Sequence, residues 1–489
     1  MSETNGDLGE VTNQLCTWIH HLTASDIPEY VLIRAKYLIL DGVACAIVRA
    51  HLPWSELAAN SVQSYEPAGT ATVLGHDCKL GPLAATVLNS SFIQGCELDD
   101  FHHEAPLHSE SVILPTLFAA AEAQKNTQPP VIVSGSEFLI ASVVGFEVGP
   151  RAGRALLGTE LLSSGWHCGT VFGHPASAAS ASKLLGLDFS QIGSALGIAC
   201  TQACGLMCAQ YEGMVKRMQH GFAARNGLQG ALLAKGGYQG MKHVFERPYG
   251  GYLVMFSKGN RKEPAYRASE ITRGLNENWD TAEVRVKSHA CVGGAYGIIE
   301  CIENLQKKYW NIIADLRNIQ SIKLEVSKPL IGHCGWVPQR PITPTGAQMN
   351  AIYLAAVQFV DKQVLLEQFS EDRLNRDQVW DLVEKTVCVH SEKFDRLTFE
   401  MGATVTIELK DGRATLRELV EKPRGMDPPA TNEEIVGKYR KLTTSLLTEE
   451  RQNAIKRMIL NIEEVNDVTT LTSLLASPFK RDVKEKSKI

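Results

Sequence analysis

The sequence lacks the patterns that mark several common classes of enzyme. It contains no GxGxxG, no Walker A loop, no HExxH and no GxSxG. These motifs are typical of dinucleotide enzymes, NTPases, zinc proteases and α/β-hydrolases. It also lacks an uninterrupted apolar run of the roughly 20 residues that a membrane-spanning helix needs. We therefore expect neither a nucleotide enzyme nor a membrane protein.

Neither sign of charge dominates the chain. Its 489 residues include 49 Lys and Arg against 54 Asp and Glu, a net charge of −5. This balance gives no general attraction to nucleic acid or to anionic lipid, so we predict no nucleic-acid partner. Any anion that the protein binds must meet a local cluster of positive side chains. The hydrophobic share of 44% is enough for a large buried core.

No targeting segment is evident at the N-terminus. The first ten residues are polar and contain no Arg, which fits neither a secretory signal nor a mitochondrial presequence. The 12 cysteines are scattered, so reduced thiols and a cytoplasmic location are predicted. The last residues, SKI at 487–489, differ by one residue from the peroxisomal address SKL, which leaves that location as an alternative. Cys200, Cys204 and Cys208 are predicted to pack on one helix face rather than bind metal.

Hydrophobic periodicity divides the chain into a helical part and a mixed part. Helices rich in Ala, Gly and Ser are predicted at 81–95, 112–126, 136–149, 170–186, 190–209 and 217–235. Period-two alternation then predicts strands at 283–286 and 319–326, with helices at 293–307 and 345–360. ATVTIELK and RATLRELV, separated by Asp411-Gly412, predict a β-hairpin. The helical pattern returns at 431–475.

These patterns predict a mainly α protein of two domains. The larger is an all-α helical domain built from both chain ends, residues 1–270 and 423–489. The smaller is an α+β lid domain, residues 271–422, inserted between them.

The densest polar cluster is the segment ELDDFHHEAPLHS at 97–109, predicted to connect two helices. Histidine beside carboxylates can supply acid–base chemistry near neutral pH. A solvated loop with aspartate helix caps is an alternative. A zinc or iron site is another, although no regular ligand spacing is present.

Four shorter segments also carry chemistry-bearing residues. GWHCG at 165–169 opens a small-residue helix, whose start could hold an anion. MVKRMQHG at 214–221 places Lys216 and His220 on one helix face. KSHACVGG at 287–294 and HCGW at 333–336, followed by Arg340, add further cations. Taken singly, GWHCG is also explained by a helix cap and MVKRMQHG by an exposed helix start.

Together these segments resemble the MmgE/PrpD family over nearly the whole chain. The resemblance rests on RAKYLILDG, FIQGCELDDFHHEAPLHS, GWHCGTVFG, LGIACTQACGLM, MVKRMQHGFAARNGL, HCGWVPQRPI and EKPRG. It implies a large all-α domain with an α+β lid, an active site between them, a homodimer and no cofactor or metal. Members of the family decarboxylate cis-aconitate or dehydrate 2-methylcitrate and related alkylcitrates.

The resemblance also implies roles for particular residues. It assigns catalysis to His108, His167 and Lys216. For binding of a small tricarboxylic acid, the family's acidic positions are covered by Glu97, Asp99 and Asp100, and which of these three faces the substrate is left open. The candidate cations of the lid are Lys287, His289 and Arg340. The chain departs from many relatives in the lid, where Val292 replaces a Cys or His and Tyr296 replaces a His.

The leading expectation is conversion of cis-aconitate to itaconate and CO2 without a cofactor. An alkylcitrate dehydratase on the same scaffold is the first alternative, because the same His and carboxylate groups could remove and donate protons. A catalytically silent dimeric binding protein is the second, because of the unusual lid residues.

Overall fold

Helices build most of the chain in the computed structural model, which describes residues 10–396, 401–410, 412, 415–476 and 479. The helices before residue 290 are α1 Glu10–His21, α2 Glu29–Arg49, α3 Pro53–Tyr65, α4 Pro82–Gln94, α5 Ser109–Lys125, α6 Gly135–Ala155, α7 Gly158–Ser163, α8 Cys168–Leu184, α9 Phe189–Cys200, α10 Lys216–Lys235, α11 Tyr252–Phe256 and α12 Asp280–Glu283. Two antiparallel ribbons accompany them, β1 Ala68–Thr72 with β2 Lys79–Leu80 and β3 Asp100–Phe101 with β4 Arg285–Val286.

Small residues explain how the central helices pack so closely. α8 and α10 are buried along most of their length. A Cβ atom at Gly227 of α10 would lie 2.4 Å from the side chain of Ser177 on α8. The two backbones can therefore approach only where one of them carries no side chain.

The second half alternates helices with a four-stranded sheet. Its helices are α13 Tyr296–Lys308, α14 Trp310–Ile313, α15 Lys328–Cys334, α16 Pro344–Gln348, α17 Ala351–Asp361, α18 Glu371–Leu374, α19 Asp377–Val383, α20 Asn432–Thr443, α21 Glu449–Leu460 and α22 Thr469–Leu475. The strands are β5 Ile319–Val326, β6 Thr386–His390, β7 Ala403–Leu409 and β8 Thr415–Val420. Their order is β6-β5-β7-β8, with β5 and β6 parallel and the other pairs antiparallel.

The mainly helical fold with a small mixed sheet is confirmed. The predicted strand at 319–326 and the β7–β8 hairpin are both present. Asp411 of the predicted turn lies outside the described residues, as does the SKI ending. Gly412 has a positive φ of 65°, the conformation that suits this glycine to a tight turn.

Two separate hydrophobic cores are present. The first combines residues of α1 to α10 with Ile435, Tyr439, Ile455 and Leu471 near the end of the chain. The second is built from the sheet and from α13 to α19. The last three helices therefore pack against the first part of the chain, although the lid sequence separates the two segments.

The buried side chain of Arg217 connects the two domains by hydrogen bonds. The Arg217 guanidinium donates to the backbone oxygen of Gly95, to Thr345 Oγ1 and to Gln348 Oε1. The Gln348 amide donates in turn to the backbone oxygens of Cys96, at 2.8 Å, and Ala290, at 2.9 Å. The network links residues of both cores, so it fixes the position of one domain against the other.

The structure corrects one predicted helix. The helix expected over 190–209 ends at Cys200. Gly205 then adopts a positive φ of 115° against Thr170, a conformation that no helix can continue through. Cys204 and Cys208 are exposed and off the helix, so the prediction of a three-cysteine helix face was wrong.

Within the described ranges, none of the helices combines the length and the apolar character needed to cross a membrane.

The return of the chain end to the first core can be tested at Lys438. Its Nζ lies 2.8 Å from Asp41 Oδ1 and donates to the Leu98 oxygen at 2.6 Å. We expect Lys438→Met to lower the free energy of unfolding by about 3 kcal/mol, because it leaves a buried carboxylate without its partner. Chemical denaturation measures this change.

Lys441→Met on the exposed part of the same helix is the matched control and should change stability little. Adding Asp41→Asn to the Lys438 variant should recover much of the loss. A Lys438 variant as stable as the wild type would contradict a structural role for this ion pair.

Candidate active site

The acidic loop after α4 directs Glu97 into the space between the two cores. Glu97 has a positive φ of 56°, which is uncommon for a residue other than glycine. Its carboxylate accepts hydrogen bonds from Lys216 Nζ, from Lys287 Nζ at 3.3 Å and from Gln94 Nε2 at 2.8 Å. One buried carboxylate thus holds two ammonium groups from distant parts of the chain.

The charge balance of this trio favours an ionised glutamate. Burial raises the pKa of the Glu97 carboxyl, but the ammonium groups of Lys216 and Lys287 outweigh it and bring the pKa well below its ordinary value. All three side chains are almost fully buried. The trio therefore carries a net positive charge in a site shielded from solvent.

His108 stands beside this trio at the start of α5. Its Nδ1 lies 3.2 Å from Asp99 Oδ1, and Asp99 is fully buried. Burial raises the pKa of Asp99, yet His108, Lys287 and Arg49 lower it to about 2. The ionised Asp99 therefore favours a proton on Nδ1 of His108.

Asp100 has a different task from its neighbour. Its two carboxylate oxygens accept from the backbone N–H groups of Ser109, at 2.8 Å, and Glu110, at 3.0 Å. These groups open α5, so Asp100 fixes the helix start that carries His108. The alternative in which loop aspartates cap a helix is therefore correct for Asp100.

The GWHCG segment places His167 immediately before α8. Burial, together with the nearby His220, Lys216 and His108, lowers the pKa of His167 well below its usual value. The ring stacks on His220 with centroids 4.8 Å apart, and His220 lies 5.1 Å from the ring of His108. Three histidines from three sequence segments are thus in ring contact.

A cavity of about 930 Å³ opens between the two cores. His108, His167 and Lys216 all line it, as the sequence predicted, and so do Glu97 and Lys287. Asp99 and Asp100 lie behind this wall. The catalytic and binding roles of all these residues remain predictions. The structure does place the three residues expected to be catalytic around the same cavity.

Two predicted lid cations lie elsewhere. Arg340 is 43% exposed in its side chain and pairs with Asp377 at 2.8 Å. His289 packs its ring against Tyr296 and does not line the cavity. Neither residue therefore lines the cavity: the sequence showed positive charge near a turn but not the side of the turn that would face the cavity.

The two unusual lid residues have distinct positions. Val292 lines the cavity. Tyr296 is buried, and its hydroxyl accepts from the backbone N–H groups of Ser288, at 2.8 Å, and His289, at 2.9 Å. Tyr296 therefore holds the loop next to Lys287, while Val292 gives the wall an apolar surface.

Two histidines were missing from the predicted site. His333, in the last turn of α15, lines the cavity, where burial and then Lys216 lower its pKa to about 4. His220 was noted only as a neighbour of Lys216. The HCGW segment was a usable signal for His333, but a histidine on a small-residue helix gives no sign that it will lie between two other imidazoles.

A possible metal-binding group lies outside the cavity. Among the described residues, His51, Glu56 and His76 bring one ligand atom each within 4.8 Å of one another. His51 Nδ1 is paired with Glu56 at 2.6 Å, and His76 Nε2 contacts the Ala50 oxygen at 3.0 Å. Since these nitrogens already have protein partners, we assign no metal to the group.

The cavity between the helical and the mixed domain is lined by buried ammonium groups and imidazoles around the carboxylate of Glu97. Such a lining can bind a polyanion and offer it acid–base groups. The MmgE/PrpD N-terminal domain model matches residues 13–264, and the MmgE/PrpD C-terminal domain model matches residues 289–464. The chain belongs to the MmgE/PrpD family. The second match continues past residue 422 through α20 and α21. It therefore does not reproduce the predicted end of the α+β domain at residue 422, and that boundary remains our proposal.

Three curated relatives span almost the full length. The chain is 53% identical to the cis-aconitate decarboxylase-like protein oryM of Aspergillus oryzae, covering 96% of this chain and 98% of the relative. It is 50% identical to a cis-aconitate decarboxylase of Aspergillus terreus, covering 98% of both. A human cis-aconitate decarboxylase is 26% identical over 98% of this chain and 97% of its own.

The ionised state of Glu97 predicts how stability depends on pH. Its pKa in the folded protein lies below the ordinary value of 4.5. The stabilisation that the ionised Glu97 provides is complete at pH values above its pKa in the unfolded protein. It is lost as the pH falls towards its pKa in the folded protein. We expect Glu97→Gln to be less stable than the wild type at pH 7, with a difference that shrinks below about pH 4.5.

Urea unfolding between about pH 3 and pH 7 measures this difference, because the change is expected below about pH 4.5. Exposed Glu433→Gln is the control and should follow the wild type throughout. A Glu97 variant with a constant deficit across this range would show that the carboxylate is not stabilised by its charge.

Proposed function

We propose that the protein converts cis-aconitate to itaconate and CO2. The observation that carries the proposal is the placement of Lys216 and Lys287 on Glu97, with His108 and His167 in the same cavity. Relatives near 50% identity that are named cis-aconitate decarboxylases support it. A substrate with three carboxylates needs such a concentration of positive charge.

The reaction requires no external electron sink. The carboxylate that leaves is attached to a CH2 group next to the C=C bond. When the C–C bond to this carboxylate breaks, its electron pair forms a new C=C bond, and the old π pair moves to the far carbon. That carbon bears another carboxylate, which shares the developing charge. Protonation of the carbon gives itaconate.

The residues divide these tasks between them. Lys216 stabilises the developing negative charge, and Lys287 binds a retained carboxylate. His167 delivers the proton, because the negative charges of bound substrate favour the protonated form of a neighbouring imidazole. His108, held by Asp99, orients the substrate.

The apolar side of the cavity supports loss of CO2. The second domain contributes Val292, Leu330 and Met349 to the lining. A carboxylate placed against such side chains loses its hydration, which favours its conversion to neutral CO2. The same apolar wall could accept an alkyl chain, so an alkylcitrate dehydratase is kept as the second candidate.

A homodimer, a cytoplasmic location and independence from cofactors belong to the proposal as expectations. Light scattering should give twice the chain mass of 53.6 kDa. Dialysis against a strong chelator should leave the rate unchanged; loss of activity restored by a divalent metal would refute the cofactor-free mechanism.

Proton NMR of the reaction decides between the two candidate functions. Purified protein is given cis-aconitate and, separately, 2-methylcitrate and longer alkylcitrates. We expect vinylidene signals of itaconate and release of CO2 from cis-aconitate. Turnover of the alkylcitrates alone, without CO2, would establish the dehydratase, and no turnover of either would favour the silent binding protein.

Alanine variants test the residues proposed for catalysis. Lys216→Ala and His167→Ala should each lower kcat by roughly 10²-fold, the scale of losing a charge-stabilising or acid–base group. Arg340→Ala, outside the cavity, should retain near-normal activity. Steady-state kinetics, with a thermal melt to check folding, measures both. Near-normal turnover in either cavity variant would remove that residue from the mechanism.

A further inference from the structure

His220 connects the three sequence segments that build the site. It lies on α10, is completely buried and does not itself line the cavity. Its ring is stacked on His167, with 21° between the ring planes, and is tilted by 43° against His108. The imidazoles of His108 and His167 are therefore separated by a third.

Ser111 determines which nitrogen of His220 carries the proton. The Ser111 hydroxyl donates to the backbone oxygen of His108 at 2.9 Å, and its oxygen lies 3.2 Å from His220 Nδ1. A carbonyl oxygen can only accept, and a hydroxyl has one hydrogen. Both contacts are satisfied together only if His220 Nδ1–H donates to Ser111. Nε2 then carries the lone pair.

The side of the His220 ring that carries Nε2 is tightly enclosed. Nε2 is buried and has no hydrogen-bond partner among the residues that the structure describes. A Cβ atom on Gly169, in the first turn of α8, would lie 1.6 Å from it. Glycine at position 169 is therefore what allows the ring of His220 to lie under His167.

Burial is the main reason why this ring stays neutral. Burial lowers the pKa of His220 well below its usual value, and His108 and Lys216 lower it further, against the opposing effects of Asp99 and Glu97. A neutral ring does not repel a proton on either neighbouring histidine. It can therefore separate the two imidazoles without competing for their protons.

We propose that His220 is a positioning residue that holds His108 and His167 at a fixed distance and orientation. Ser111 fixes its tautomer, and Gly169 provides its space. This inference rests on the proposed function, because it takes His108 and His167 as the groups that act on the substrate.

Matched phenylalanine variants separate positioning from general stability. His220→Phe keeps an aromatic ring but removes the contact with Ser111. His174→Phe, at an equally buried histidine of α8 that contacts Thr170 and Asn226 through its ring nitrogens, is the control. Both should lower the melting temperature. Only His220→Phe should lower kcat, by roughly 10-fold to 10²-fold, with KM changed by less than about threefold.

Ser111 gives a second readout that a purely structural role of His220 would not change. Ser111→Ala should lower kcat less, and the double variant should be no slower than His220→Phe alone.

Comparable loss of kcat in both phenylalanine variants, or additive effects in the double variant, would overturn the proposal. A wild type that makes no itaconate would instead refute the proposed function. The tautomer can then still be tested by nitrogen-15 NMR of histidine-labelled free protein. His220 should be protonated at Nδ1 in the wild type, and protonation at Nε2 would refute the positioning scheme.

Discussion

The carboxylate of Glu97, shared by the ammonium groups of Lys216 and Lys287, is the interaction on which the site depends. Two buried lysines without an anion would repel each other and lose their hydration. Glu97 removes that difficulty and leaves one surplus positive charge facing the cavity. The rest of the acidic loop serves this arrangement, since Asp99 holds His108 and Asp100 fixes the start of α5.

This interaction also couples catalysis to the docking of the two domains. Lys216 belongs to α10 of the first core, whereas Lys287 stands where the chain passes into the second. The network of Arg217 and Gln348 ties the same two regions together a few residues away. A change in the packing of the two domains is therefore expected to change the distances between Glu97, Lys216 and Lys287.

The sequence predicted the helical class, the hairpin and the segments that form the site, because periodicity and dense polar motifs are local signals. It could not decide which side chains of a turn face inwards, so Arg340 and His289 were misplaced. Nor could it show that Gly205 would end a helix early, or that His220 would separate two other imidazoles. These depend on contacts between segments far apart in the chain, such as Gly205 with Thr170 and His220 with Gly169.

The return of the last helices to the first core has a consequence for synthesis on the ribosome. Asp41 and Lys438, which form a buried pair, are 397 residues apart in the chain. At translation rates of about 5 to 20 residues per second, Asp41 waits about 20 to 80 s before its partner is made. During that interval the complete lid sequence emerges, whereas the first core still lacks Ile435, Tyr439 and Ile455. The nascent helical domain must therefore keep an apolar surface uncovered until the chain is nearly finished.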